Sequence, residues 1–146
     1  MIRRAWLVGA ATLSVDLAGC GNVPPTPTEA ATAAPAADME GLDYSNAWRI
    51  EVSEGANSDG EILFRLTSKG RAPQDVRVEI DDGTSEDHVA RVIKNTFEDQ
   101  LDTSKYDIEM DDEEDVLVKK DLTEPRFSLV VVSSTVKSVR LHVQKE

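Results

Sequence analysis

Cysteine is almost missing from this chain: Cys20 is the one thiol in 146 residues. A single cysteine excludes an internal disulfide and every metal site built from several thiolates. Aromatic residues are scarce too, at 5%, which argues against a stacking platform for bases or sugars. Positive charge is in deficit. Sixteen Lys and Arg stand against 28 Asp and Glu, a net of −12, so nothing offsets phosphate repulsion and nucleic acid is not expected as a partner. No apolar run reaches the roughly 20 residues that span a bilayer; the uncharged, mostly apolar stretch Ala5 to Val15 has eleven. What is present, 40% hydrophobic and 30% charged residues, has the balance of one globular domain with a polar surface.

The first twenty residues read as an export address. Arg3 and Arg4 give a positive start, and Ala5 to Val15 has the length of a signal-peptide apolar core. The run then reaches Leu17-Ala18-Gly19-Cys20. Two small residues leave room for a protease, and the Cys20 thiol is the nucleophile able to take a lipid. Here the sequence resembles the bacterial lipoprotein precursors, whose lipobox is a tetrapeptide of this kind. The resemblance covers about twenty residues. It implies a signal peptide over residues 1–19, a diacylglyceryl group on the Cys20 sulfur, cleavage before Cys20, and acylation (palmitate or a similar chain) of the new amino group. Asp16 departs from the pattern, because a carboxylate in the membrane-inserted part of a signal is costly, and slow cleavage is the expected result. The resemblance further implies that Gly21, where an aspartate favours inner-membrane retention, directs the protein to the outer membrane of a two-membrane cell. Several acyl chains make such attachment stable where one gives only marginal binding.

Residues 21–39 are Pro, Ala and Thr with little else, and Val23 and Met39 are the larger apolar side chains. Pro24, Pro25, Pro27 and Pro35 disfavour helix and keep a chain extended, so residues 20–40 are expected to form a lipidated tether reaching about 60 Å at the polyproline rise. The folded domain is expected over residues 41–146. Losing Arg3, Arg4 and Asp16 with the leader takes the net charge from −12 to −13.

Within that domain the pattern is mainly period two, the mark of strands with one buried face. Trp48, Ile50 and Val52 alternate with polar residues, as do Ile62, Phe64 and Leu66, then Val76, Val78 and Ile80, then Tyr106, Ile108 and Met110. Val116 to Val118, Phe127 to Val132 and Val139, Leu141 and Val143 complete seven strand candidates. Phe127 to Val132 is apolar on both faces in its second half, which predicts a central strand covered on both sides. Val89, Val92, Ile93, Phe97 and Leu101 instead fall on one helical stripe. Thr84 and Asp87 have capping-box spacing at its start, and Asp87 and Arg91 are placed to pair one turn apart. Glu98 and Asp102 are expected to repel at its end. The order β-β-β-α-β-β-β-β predicts an α+β fold: an antiparallel sheet of about seven strands with one amphipathic helix on a face. The strands flanking the helix pair with each other or with the outer hairpins.

The chemical inventory is thin. His88 and His142 are the side chains whose ordinary pKa suits a neutral-pH base; each is read as an exposed surface residue. No Gly-x-Ser-x-Gly elbow is present, and catalysis is not expected. The densest local feature is Asp107 to Asp115, seven acids in nine residues. As a calcium loop of the EF-hand type it fails, with Asp112 where glycine is needed and Val118 where a bidentate acid is needed. Asp107 and Glu109 read as the wet face of a strand, and Asp111, Asp112, Glu113, Glu114 and Asp115 as a charged hairpin tip. That tip is the candidate contact for a basic protein partner or, less favoured, a weak Ca²⁺ site. The sequence therefore predicts a lipid-anchored, non-enzymatic, acidic binding or adaptor module of the cell envelope, facing the periplasm or the exterior. No cofactor is expected beyond the covalent lipid. The alternative is a small Ca²⁺-dependent or hydrolytic envelope protein using the acidic loop.

Overall fold

A computed structural model describes residues 41–146. The leader, the lipobox with Cys20 and the tether lie outside the described residues. Seven strands and one helix follow in the expected order: β1 (Ala47–Ser53), β2 (Gly60–Ser68), β3 (Gln74–Ile80), α1 (Glu86–Gln100), β4 (Tyr106–Asp111), β5 (Asp115–Lys120), β6 (Phe127–Ser134) and β7 (Arg140–Lys145). Every pairing between them is antiparallel, and the fold class is α+β. No helix among the described residues is long and apolar enough to cross a membrane.

The strands divide between two sheets, ordered β4-β5-β1-β7 and β3-β2-β6. The strands flanking the helix do not pair with each other: β3 and β4 are edges of different sheets. Helix α1 packs against both of these edges and against β1 and β5, so its apolar stripe fills the space they leave. Val89, Ala90, Ile93 and Phe97 are its buried residues. Phe97 meets Phe64 of β2 edge-on at 5.1 Å, and Tyr106 of β4 meets Phe127 of β6 at 5.3 Å, edge-to-face geometries that suit the ring quadrupoles. One core therefore joins both sheets and the helix.

Three local expectations change. The helix starts one residue later than the capping box places it: Ser85 is the N-cap and makes no side-chain cap bond, while the Thr84 hydroxyl donates to the Asp81 carbonyl at 2.7 Å. Glu98 and Asp102, expected to repel, each acquire a cation, Lys94 at 2.6 Å and Lys105 at 2.5 Å. The third correction concerns β6. It is an edge strand of the three-stranded sheet, not a central one, and Val130 and Val132 on it are exposed. The strand in the middle of that sheet is β2, whose outward residues Leu63 and Arg65 are only partly covered.

The β3 edge facing α1 is closed by a side chain. At β3 the Gln100 side chain acts as a substitute strand: its Oε1 accepts from the Arg77 N–H at 3.2 Å and its Nε2 donates to the Arg77 carbonyl at 2.9 Å. The loop from β1 to β2 locks the start of α1, with the Ala56 N–H donating to the Thr84 carbonyl and the Gly83 N–H to the Ala56 carbonyl. Only a residue without a side chain fits beside that clasp, since a Cβ on Gly55 would stand 2.6 Å from the Thr84 carbonyl oxygen.

Candidate functional site

The acidic stretch is divided by the β4–β5 hairpin into parts with different roles. Asp107 and Glu109 lie on the outward side of β4, and Lys119 of β5 pairs with Glu109 across the strands, lowering the Glu109 pKa. Asp111 and Asp115 close the hairpin opposite each other. Both turn to Arg49 of the neighbouring β1, at 2.6 and 2.8 Å, and Glu146 joins the same guanidinium at 2.6 Å. The hydrogen bond to Asp115 and then that to Glu146 raise the Arg49 pKa. One arginine thus gathers three carboxylates and ties the hairpin to the C-terminal end of the chain.

Asp112, Glu113 and Glu114 form the tip, and all three are exposed. Asp112 takes a left-handed backbone (φ 56°), a conformation that aspartate tolerates because its short side chain bonds locally. Among the described residues no cation lies within ion-pair distance of these three. Glu114 instead approaches the start of α1, where one carboxylate oxygen from each of Glu86, Asp87 and Glu114 falls within 4.8 Å of the others. The Glu114 pKa is raised, first by the charge of Glu86, then by desolvation and by Asp87, Asp115 and Glu113. Glu86 and Asp87 sit there because the first helical turn attracts negative charge. The hairpin then adds a third carboxylate for which the helix end supplies no countercharge beyond its dipole.

The five tip residues singled out from the sequence are therefore only partly brought together. Asp111 and Asp115 are held by Arg49, and Glu114 joins Glu86 and Asp87 of the first helical turn. Arg49 gave no sequence signal, because its partners lie 62 to 97 residues away.

His142 is exposed on β7. His88 is exposed in the first turn of α1, where its Nδ1 lies 2.9 Å from the Ser85 hydroxyl. That is a serine beside an imidazole, a pairing the sequence reading did not anticipate. It is the local i, i+3 contact of a helix start, and neither residue lines the groove that the fold forms on its other side. That groove, about 430 Å³, runs between β6 and β7 under Gly41 to Asp43, with Trp48, Leu129, Val131, Leu141 and Val143 in its walls.

The chain matches no protein-family model, no curated protein and no solved structure.

Proposed function

We propose that this protein is a lipid-anchored, non-enzymatic envelope module whose acidic end docks a basic protein. The observation that carries the docking half is the convergence of Glu86, Asp87 and Glu114 within 4.8 Å with no cation of the described residues among them. Elsewhere on the same hairpin Asp111 and Asp115 share an arginine and Glu109 holds a lysine. Concentrating like charge has an electrostatic cost that a cationic partner removes. Such docking is steered by charge and weakens with salt. The anchoring half is supported by Arg3, Arg4, the Ala5–Val15 run and Leu17-Ala18-Gly19-Cys20.

Two measurements test the halves separately. A lysine-rich peptide titrated into the protein is expected to bind at low ionic strength, to lose affinity steeply with added salt, and to bind weakly to an E86Q/D87N/E114Q variant. Equal binding at low and high salt overturns docking by charge. For the anchor, mass spectrometry of the mature N-terminus is expected to find an acylated Cys20, and Cys20→Ala is expected to leave the membrane fraction; an unprocessed Met1 in a freely washed-out product overturns it.

The same three carboxylates favour a second reading, weak Ca²⁺ binding by oxygen ligands, in place of the 107–115 loop as a whole. It requires that millimolar Ca²⁺ raise the melting temperature of the protein and fail to raise that of Glu114→Gln. A calorimetric titration without heat removes it.

A further inference from the structure

We propose that the edge of β6, with which no strand of the described residues pairs beyond Ser45, together with the groove between β6 and β7, receives an extended polypeptide strand from another protein, bearing apolar side chains at every second position. This surface lies on the sheet edges away from α1, apart from the acidic end, and the two proposals stand or fall independently.

Four observations meet here. First, the groove is lined by four consecutive residues of β6, Ser128 to Val131. Successive residues of a strand point to opposite faces, so a cavity touching all four lies along the backbone edge and not on either face. Second, the hydrogen-bonding pattern of that edge is already started. Ser45 and Phe127 exchange two backbone bonds, at 2.9 and 3.0 Å. Phe127 therefore directs its N–H and C=O away from β2, and by the antiparallel alternation Leu129 and Val131 direct theirs the same way. The register with β2 is regular through Val131 and shifts only after it. Beyond Ser45 no other strand of the described residues pairs on that side. Third, Ser128 is 1% exposed and its Oγ has no hydrogen-bond partner among the described residues; buried hydroxyls are rarely left so. Fourth, β6 is apolar on both faces although it is an edge, with Val130 37% and Val132 45% exposed. An exposed apolar edge strand is a template for pairing, and natural edges are commonly blunted, as Gln100 blunts β3 here.

The opposite wall of the groove supplies the side-chain preference. Leu141 and Val143, two apart on β7, join Trp48 there. A strand hydrogen-bonded to β6 presents every second side chain to this wall, which is the recognition mode of strand addition. Such a strand also links the β6 edge to β7, joining the two sheets through it.

Other occupants fit less well. Over positions 21–39 the preceding chain has four prolines, all at or before Pro35, which have no N–H to donate, and Val23 and Met39 as its larger apolar residues, so it lacks large apolar side chains at every second position. A second copy brings the same net charge of −12, whose repulsion opposes pairing of two such edges at neutral pH.

The test uses the full chain and a capped, uncharged nine-residue peptide with valine at alternate positions and threonine or glutamine between. Two further versions carry N-methyl groups, one on the valine amides and one on the intervening amides, since these two sets point to opposite edges of a strand. Hydrogen exchange is followed residue by residue. The expected result is protection of the Leu129 and Val131 amides by at least about tenfold, with one N-methylated peptide losing binding and the other keeping it. Binding by both N-methylated peptides, or unchanged exchange at Leu129 and Val131 with saturating peptide, overturns the proposal. Protection that grows with protein concentration alone assigns the edge to a second copy. Protection present without peptide and lost on deleting residues 21–40 assigns it to the chain itself. Either outcome overturns the proposal too.

Discussion

Single residues decide how the acidity is distributed. Arg49 holds Asp111, Asp115 and Glu146, so two of the hairpin's acids share a cation, whereas Glu114 is pressed against Glu86 and Asp87. A carboxyl whose pKa is raised by folding binds protons more tightly in the folded chain. Its contribution to stability is present below the ordinary glutamate pKa and is lost as pH rises through the raised value. At neutral pH Glu114 therefore works against the fold. Glu114→Gln is predicted to raise the melting temperature at pH 7 in low salt, with the gain shrinking as salt screens the cluster. A thermal scan of both proteins across ionic strength checks it; a lower melting temperature for the variant at low salt contradicts the electrostatic account.

At the scale of elements, Phe97 shows what holds the two sheets together. It is fully buried on α1 and meets Phe64 of the three-stranded sheet edge-on, while its helix also packs against β1, β4 and β5 of the other. Phe97→Ala is predicted to cost about 3–5 kcal/mol, read as a lower urea midpoint with an unchanged slope. That residue, like the rest of the helix stripe and the strand alternation, was legible in the sequence, because period and burial are local properties of a segment. Pairing is not local. Nothing in Val76 to Ile80 says that β3 meets β2 and a glutamine on α1, and nothing in Arg49 names three acids far along the chain. The reading of β6 failed for an instructive reason. Two apolar faces report that a strand is meant to be covered, and the sequence was silent on whether this chain supplies the cover. Ala56 and Val136, both buried, escaped notice because they sit in loops, outside any period.

For the whole molecule the charge balance sets the response to acid. Asp102 has its pKa lowered to about 2, first by Lys105 and then by Ser104. Asp75 is lowered chiefly by Arg65, Glu109 chiefly by Lys119 and Asp121 chiefly by Thr123. For each of these the stabilisation is complete above the unfolded pKa near 4 and is lost as pH falls through the folded value. Glu114 acts in the opposite sense, its contribution being lost as pH rises through its raised value. Stability is accordingly predicted to pass through a maximum on the acid side of neutrality and to fall modestly between pH 4 and about 2, since these pairs are exposed; urea midpoints measured from about pH 2 to 7 check it, and a monotonic rise toward neutral pH contradicts the role given to Glu114.

The bare rung along β6 carries a further consequence for how the molecule tolerates crowding. At neutral pH every copy has the same strong sign and holds its neighbours at a distance, which keeps sticky ladders from meeting. Near pH 4.5, where the sequence is isoelectric, that mutual aversion vanishes while the apolar core still holds the fold together. Intact molecules are then free to stack rung on rung, so clouding of a concentrated solution should set in around the isoelectric point, before unfolding begins.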